Sequence, residues 1–308
     1  MKILELFGGI GAPRRALINL KIPHKSIDYV EIDEKAVRTY NAMFAKYDLK
    51  KPQNVIGWNL CPDILIHGSP CQDFSIAGKQ KGADEGTNTR SSLMWETIKI
   101  IKNMGVWKPK IVIWENVKNV LSKHMKHNFN KYLNEMEKLG YKSNYSVLNA
   151  KNFGIPQNRE RVFVISLLGN KKFDFSKLKK KQMKHIKYFL EDTELSKYIV
   201  TQPSMLKKIN CNKSLSVPII KDYCYTITTK QMRSPNAGVL QLPNGKYRYL
   251  TERECWRLMG FTDEDFEKAA KEQKLNRKYM NGSLYKQAGN SICVPVLEAI
   301  FKALFQIK

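Results

Sequence analysis

Residues 2–11 read KILELFGGIG, an apolar run that passes directly into a glycine-rich turn. The run predicts a short buried strand, and the pattern over residues 12–20 predicts a helix. Strand, tight glycine turn and helix form the first unit of doubly wound α/β folds, in which the turn lets a cofactor approach the main chain. Taken alone, this unit is equally typical of a nicotinamide-dependent dehydrogenase.

A second strand with an acidic end is predicted at residues 26–33. Glu31 lies about 20 residues beyond the glycine turn, and a carboxylate at that distance is typical of a ligand for ribose hydroxyl groups. Asp33 is better explained as the ordinary negative charge at the start of a helix predicted at 34–45. Glu31 is therefore the candidate ribose ligand.

Strands and helices continue to alternate over the first half of the chain. Further strands are predicted at residues 54–58, 63–67, 110–117, 141–150 and 162–168, and further helices at 91–104 and 128–139. This alternation predicts one α/β domain over residues 1–169, built on a doubly wound, mostly parallel sheet.

Residues 68–75 read GSPCQDFS and follow the strand predicted at 63–67. A cysteine just past a strand end lies where α/β enzymes carry their chemistry, and the thiolate is its reactive form. A single cysteine is nevertheless more often a small buried hydrophobic residue. Glu115 comes at the carboxyl end of the strand 110–117, so we expect it at the same edge of the sheet. The long polar stretch 68–90 is predicted to be a mobile lid.

The charge of the chain points to a polyanionic partner. The 308 residues include 53 Lys and Arg against 28 Asp and Glu, which gives a net charge of +25. Nucleic acid is the first candidate, and an anionic membrane surface ranks below it because no basic amphipathic helix with an aromatic face stands out. No apolar run of about 18 residues and no signal peptide is recognised. The six cysteines are scattered, which predicts neither a zinc site nor disulfides and favours the cytoplasm.

The charge and the hydrophobic periodicity of the sequence change near residue 169. Residues 170–250 contain 17 Lys and Arg against five Asp and Glu, a net charge of +12, and their periodicity is poor. We interpret them as a smaller basic lobe that reads nucleic acid. Residues 251–308 form a third segment, in which Thr251 and Glu254 predict a capping box at the start of a helix. A final apolar helix is expected to pack back on the first domain.

With these pieces in order, the sequence resembles the cytosine-5 DNA methyltransferases of bacterial and phage restriction-modification type. The resemblance spans both ends of the chain and omits only the basic lobe. The matching motifs lie at residues 7–11, 31, 70–75, 89–96, 115–117, 157–161, 248–254 and 289–294. The sequence departs from the family pattern at Ile32, where an aromatic residue is usual, and at 54–59, where the expected aspartate is missing.

The resemblance implies a Rossmann-like, S-adenosylmethionine-dependent enzyme without a metal. It implies that Cys71 adds to carbon 6 of a flipped cytosine while Glu115, Arg161 and Arg159 hold the ring. The implied cofactor-binding residues are Phe7, Gly8, Gly9, Ile10, Gly11, Glu31, Ile32, Pro70, Leu93, Asn290 and Ser291. The candidate DNA-binding residues are Gln72, Ser75, Arg90, Thr226, Thr228, Gln231 and Arg233, with Asn236 as a further side chain of the base-reading type. The implied partners are double-stranded DNA and, as an open possibility, a separate restriction endonuclease; the chain is expected to be monomeric and cytoplasmic.

Two other functions remain open on sequence alone. An RNA (tRNA) cytosine-5 methyltransferase shares the catalytic motifs, but that branch almost lacks a recognition lobe and carries a Cys-Phe-Thr tripeptide that is absent here. A non-catalytic DNA-binding relative would keep the fold, and the intact Cys71, Glu115 and Arg161 argue against it. A dehydrogenase accounts for nothing after residue 60.

Overall fold

The computed structural model describes residues 1–44, 61–69, 93–192, 196–209 and 216–307. The strands in this part of the chain are β1 Lys2–Leu6, β2 Lys25–Val30, β3 Ile64–His67, β4 Ile111–Val117, β5 Tyr141–Asn149, β6 Gln157–Asn158, β7 Glu160–Leu168, β8 Cys224–Tyr225, β9 Val239–Gln241 and β10 Tyr247–Tyr249. The helices are α1 Ala12–Asn19, α2 Glu34–Phe44, α3 Met94–Asn103, α4 Lys126–Lys138, α5 Pro203–Ile209, α6 Glu252–Arg257, α7 Asp263–Glu272, α8 Gly282–Asn290 and α9 Val294–Phe305. The strand predicted at 54–58 lies outside the described residues.

Within the described residues the central sheet has six strands in the order β2-β1-β3-β4-β7-β5. β1 pairs in parallel with β2 and β3, and β3 pairs in parallel with β4. β7 is antiparallel to both β4 and β5. The connection from β5 to β7 contains no crossover helix, and without one two neighbouring strands must run in opposite directions. The predicted doubly wound, mostly parallel sheet is confirmed, with one antiparallel strand, β7, next to the edge strand β5.

Helices cover both faces of this sheet because each presents one apolar stripe. On one face, α1 buries Ala16 and Leu17 and packs against α9. On the other face, α3 and α4 bury Trp95 and Met136 among the side chains of β3 and β4. Because helices cover both faces of the sheet, the ends of its strands remain accessible. In open α/β sheets, ligands bind at the carboxyl ends of the strands.

Within the described residues, the basic region 170–250 contains short helices and strands. β9 and β10 form an antiparallel hairpin, and β8 pairs in parallel with β6. The buried side chains Ile186, Ile220 and Ile227 join the same apolar core as Ile3 and Ile300. One hydrophobic core therefore runs through the first, middle and last parts of the chain.

The last part of the chain begins with the predicted capping box. Thr251 Oγ1 accepts a hydrogen bond from the main-chain N–H of Glu254, and the Glu254 carboxylate accepts one from the N–H of Thr251. The stretch Gly282–Phe305 is long and apolar enough to span a membrane by composition alone. In the structure it is divided into α8 and α9, and 56% of its most apolar window is buried inside the protein, as in the core helices of a globular fold.

Candidate active site

The carboxyl group of Glu115 lies at the carboxyl edge of the sheet, next to the end of β3. Glu115 follows Trp114, whose register partner in β3 is His67. A Cβ atom added to Gly68 would lie 3.8 Å from Glu115 Oε2. The carboxyl group therefore faces the turn that leads out of β3 toward residues 70–75.

Ser69, the residue before Pro70, is held by two side chains of β4. Trp114 Nε1 donates a hydrogen bond to Ser69 Oγ at 3.0 Å, and Asn116 Nδ2 donates one to the Ser69 carbonyl at 3.3 Å. Asn116 Oδ1 also accepts from the main-chain N–H of Val117 at 2.8 Å. All three contacts are buried or partly buried, so the start of the predicted nucleophile segment is fixed to the strand that carries Glu115.

Five of the predicted site residues lie outside the described residues. They are Pro70, Cys71, Gln72, Ser75 and Arg90. Their roles stay predictions from the sequence.

Glu115 of β4 pairs with Arg161 of β7, which lies diagonally across the two strands because the register partner of Arg161 is Val117. Arg161 Nε lies 3.3 Å from Glu115 Oε1, and both side chains are largely shielded from solvent. Burial raises the pKa of Glu115 above its usual value, against the opposing effects of the positive charges of Arg161 and Arg159. The carboxyl group therefore keeps its proton at a higher pH than an exposed glutamate does.

Arg159 differs from its predicted role as a residue that holds the base. The side chain is 3% exposed. Its Nη1 donates to the carbonyl of Ile227 at 3.0 Å, and its Nη2 donates to the carbonyls of Gly289 and Ser291 at 3.0 and 2.8 Å. Arg159 thus ties β7 to the basic region and to the segment after α8, which makes it a positioning residue.

The glycine turn between β1 and α1 faces Glu31. Glu31 Oε2 accepts the N–H of Gly9 at 2.9 Å, and Oε1 accepts the N–H groups of Ile32 and Asp33 at 2.8 Å each. Gly9 has φ +54°, in the left-handed region that favours glycine. A Cβ atom on Gly11 would lie 2.6 Å from the Tyr40 ring, so that position also requires glycine.

The remaining predicted cofactor residues surround this turn unevenly. Ile32 is 71% exposed beside Glu31, whereas Ile10 is buried in the core. Phe7 adopts φ +54°, an unusual value for a residue with a side chain, as the chain enters the turn. Leu93 is half-buried at the start of α3.

The end of α8 approaches the same side of the sheet. Lys286 of α8 forms an ion pair with Asp33, and its neighbour Gln287 donates to the carbonyl of Lys35 at 3.1 Å. Asn290 is exposed at the end of the helix, and Ser291 is buried with its carbonyl bound by Arg159. These contacts set α8 against the start of α2, close in the chain to Glu31.

The predicted DNA-reading side chains separate into two groups. Gln231 is fully buried: its Oε1 accepts the N–H of Ala237 at 3.2 Å and its Nε2 donates to the carbonyl of Gly238 at 3.5 Å. The prediction that Gln231 reads base edges is therefore wrong, because both polar groups of its amide form hydrogen bonds with main-chain groups inside a turn. Arg233 is exposed. Thr226, which is half-buried, donates to the carbonyl of Asn158 at 2.9 Å.

Thr228 lies against the segment that Arg159 holds. A Cβ atom on Gly289 would lie 2.5 Å from the carbonyl carbon of Thr228, so the two main chains approach as closely as glycine permits. Asn236 Nδ2 donates to the carbonyl of Thr226 at 2.7 Å and orders the same loop from its other side.

Two buried residues near the site, Gln157 and His67, were not assigned roles from the sequence. Gln157 is buried and connects the basic region to α6, since its Oε1 accepts the N–H of Ile227 and its Nε2 donates to the carbonyl of Leu258. The sequence motif at 157–161 includes Gln157, but the motif does not predict these two hydrogen bonds. His67 is buried beside Tyr132, and burial lowers its pKa to about 3, so it is neutral at ordinary pH.

Comparison with known proteins agrees with this arrangement. The model of the family described as C-5 cytosine-specific DNA methylase matches residues 1–306. The chain is 34% identical over 376 residues to the type II methyltransferase M2.ScrFI of Lactococcus lactis subsp. cremoris, with 99% of each chain covered. It is 28% identical over 325 residues to M1.ScrFI of the same organism, covering 99% of this chain and 78% of that protein. Among solved structures, the S. pombe Dnmt2 methyltransferase has a similar fold, with a TM-score of 0.78 at 23% identity and 99% and 98% of the two chains covered.

Proposed function

Because this chain belongs to the C-5 cytosine-specific DNA methylase family, we propose that it methylates carbon 5 of cytosine at a short specific site in double-stranded DNA, with S-adenosylmethionine as the methyl donor. The observation that carries the proposal is the largely shielded Glu115–Arg161 pair, which joins the carboxyl end of β4 to the start of β7. It lies beside Gly68, at the start of the segment that contains Cys71. Two residues of chain span at most about 7 Å, so Cys71 is tethered closely to the fixed Ser69.

The reaction needs a nucleophile because carbon 5 of cytosine is too electron-poor to accept a methyl group directly. The thiolate of Cys71 adds to carbon 6, and the resulting enamine makes carbon 5 nucleophilic. After methylation, the proton on carbon 5 leaves and the Cys71 thiolate is eliminated, which restores the aromatic ring. Covalent catalysis thus divides one difficult substitution into addition, methylation and elimination, each of which is easier.

Glu115 and Arg161 act on the ring as this charge develops. Addition of the thiolate builds negative charge on nitrogen 3, and a protonated Glu115 donates a hydrogen bond there and accepts one from the exocyclic amine. The raised pKa of Glu115 supports this role, since the protonated form is available at higher pH. Arg161 orients the carboxyl group at 3.3 Å and holds the carbonyl oxygen of the base.

The glycine turn fits an adenosine-containing cofactor. S-adenosylmethionine supplies an electrophilic methyl group when it is bound. Main-chain N–H groups occupy both acceptor sites of Glu31 Oε1 and one of Oε2, so Oε2 keeps one acceptor site for a ribose hydroxyl group. The exposed Ile32 offers an apolar surface for a flat ring where the family usually has an aromatic residue. The remaining candidate cofactor-binding residues in the described part of the chain are Leu93, Asn290 and Ser291.

DNA binding is proposed for the basic lobe at 170–250, which carries a net charge of +12. A target cytosine must leave the duplex to reach Glu115, and base flipping costs a few kcal/mol. Phosphate contacts by lysine and arginine offset this cost. We assign the contacts within the lobe to Arg233 and the Thr226–Thr228 loop, and assign further contacts to Gln72, Ser75 and Arg90.

The biological setting that we propose is restriction-modification or phage self-protection in a bacterial cytoplasm. It rests on the names of the relatives, which are type II methyltransferases of Lactococcus. A separate endonuclease and a monomeric state remain part of this proposal. The division into residues 1–169, 170–250 and 251–308 is proposed as a functional one, for catalysis, recognition and connection.

The test is transfer of labelled methyl from S-adenosylmethionine to duplex DNA, with Cys71→Ser assayed in parallel and the product sequenced after bisulfite treatment. We expect label in cytosine within one short motif and none with the variant. Label in RNA but not in DNA would favour the RNA-methylating branch. DNA binding without any transfer would identify a non-catalytic relative.

A further inference from the structure

We propose that Tyr29 is a positioning residue for the cofactor, because its buried hydroxyl and Glu31 together hold Gly9 in the shape that cofactor binding requires. The inference deepens the proposed function and rests on it, since it assumes that the glycine turn receives S-adenosylmethionine. It assigns a role to a β2 residue that lies beneath the turn.

The geometry of β2 brings both side chains to the same glycine. Residues two apart along an extended chain point to the same side, so Tyr29 and Glu31 both reach the turn above β1. Tyr29 Oη donates a hydrogen bond to the carbonyl of Gly9, and the N–H of Gly9 donates to Glu31 Oε2 at 2.9 Å. The peptide groups on either side of Gly9 are thereby fixed.

The Tyr29 ring has no freedom to release this contact. It is completely buried and stacks on Tyr40, with ring centroids 3.8 Å apart. Tyr40 Oη in turn donates to Glu5 Oε2 at 2.8 Å and accepts from Arg14 Nη1 at 3.1 Å. A Cβ atom on Gly8 would lie 2.5 Å from the Tyr29 ring, so the turn rests directly on it. The aromatic pair therefore forms a rigid floor for the turn.

Holding this turn affects binding because glycine adopts many backbone conformations at little cost. Without the Tyr29 hydroxyl, the carbonyl of Gly9 loses its buried partner and the turn samples other shapes. The apparent dissociation constant of a ligand rises in inverse proportion to the fraction of protein in the competent conformation. Loss of one ordinary hydrogen bond changes such an equilibrium about three- to tenfold.

The test compares Tyr29→Phe with Tyr141→Phe in the full chain. Tyr141 is also a buried tyrosine whose hydroxyl donates to a main-chain carbonyl, that of Pro109 at 2.7 Å, but it lies at the opposite edge of the sheet. Both variants lose one hydroxyl and keep the ring, so their melting temperatures are expected to fall by similar amounts. Calorimetric titration with S-adenosylmethionine then separates positioning from general stability.

We expect the Kd for S-adenosylmethionine to rise about three- to tenfold in Tyr29→Phe and to stay within about twofold of wild type in Tyr141→Phe. The rate constant for methyl transfer at saturating cofactor is expected to change little in both. Tyr40→Phe keeps the stacked rings and the Tyr29 hydroxyl but loses the hydrogen bonds with Glu5 and Arg14. Because it leaves the contact between Tyr29 and Gly9 in place, we expect a smaller rise in Kd from this second variant.

An unchanged Kd in Tyr29→Phe, or equal weakening in Tyr29→Phe and Tyr141→Phe, would overturn the inference while leaving the proposed function intact. Tyr40→Phe binding more weakly than Tyr29→Phe would also overturn it, because the direct contact would not be the one that matters. If wild-type protein binds no S-adenosylmethionine, the proposed function fails and this inference fails with it.

Discussion

Glu115 is the residue whose chemistry the structure defines most directly. It is held by Arg161 at 3.3 Å, and the turn at Gly68 lies beside it. Glu115→Gln keeps the shape and the hydrogen-bonding capacity but cannot pass a proton to the ring. We expect single-turnover methyl transfer to slow by about 10²- to 10⁴-fold, the usual contribution of a general acid or base, with DNA affinity nearly unchanged.

The matched control for this variant is Glu160→Gln. Glu160 is an exposed residue at the start of β7 that pairs with Lys118 at the surface. We expect its substitution to leave the rate within about twofold of wild type, as surface ion pairs contribute little. Equal slowing by both substitutions would contradict a catalytic role for Glu115.

The raised pKa of Glu115 also predicts how stability varies with pH. The ordinary pKa of a glutamate is 4.5, so the unfolded chain is half deprotonated at that pH, whereas the folded protein keeps the Glu115 proton to a higher pH. Since the folded state then binds more protons, the contribution of this group to folding stability is lost as pH rises from 4.5 through the raised pKa. Denaturant unfolding at a series of pH values is expected to give Glu115→Gln a flatter profile than wild type in that window. Parallel profiles would show that the carboxyl group titrates normally.

At the scale of elements, Arg159 joins three segments that are distant in the chain. Arg159→Met removes three hydrogen bonds to the carbonyls of Ile227, Gly289 and Ser291, so we expect the free energy of unfolding to fall by about 3 kcal/mol. Arg161→Met is the contrasting variant and is expected to reduce methyl transfer more than stability. Chemical denaturation and single-turnover assays on both variants give the comparison. If Arg159→Met is as stable as wild type but inactive, Arg159 acts in catalysis rather than in positioning.

The elements that could be predicted from the sequence are those whose signals are local. The strand and glycine turn at 2–11, the capping box at Thr251 and the strand ending in Glu115 each depend on neighbouring residues alone. The position of β7 between β4 and β5 depends on pairing between distant strands, which local periodicity does not encode. Gln231 was misassigned for a similar reason: its residue type suits base reading, but only the fold determines that its amide lies inside a turn.

At the scale of the whole molecule, the net charge of +25 predicts a strong salt dependence of DNA binding. Lysine–phosphate contacts release counterions, so log K falls linearly with log salt concentration. In the double variant Lys179→Gln/Lys180→Gln, which removes two exposed charges of the basic lobe, we expect weaker binding to any DNA sequence and a slope reduced by about 1 to 2.

The control for this charge effect is Lys138→Gln/Lys268→Gln, which removes two helical lysines outside the lobe that pair with Glu135 and Glu264. It makes the same change in net charge. If both double variants reduce the slope equally, DNA binding depends on the net charge of the whole protein, and the lysines of the basic lobe make no specific contribution.

The shared hydrophobic core has a consequence for how new site specificities arise. Ile186, Ile220 and Ile227 from the basic region pack in the same core as Ile3 and Ile300. A hybrid that transplants residues 170–250 from a relative would import foreign side chains into the interior of the recipient, and we expect such chimeras to misfold unless these three positions are matched. Surface positions such as Arg233 carry no such constraint, so we expect point changes on the exposed face to be tolerated more readily than exchange of the whole module.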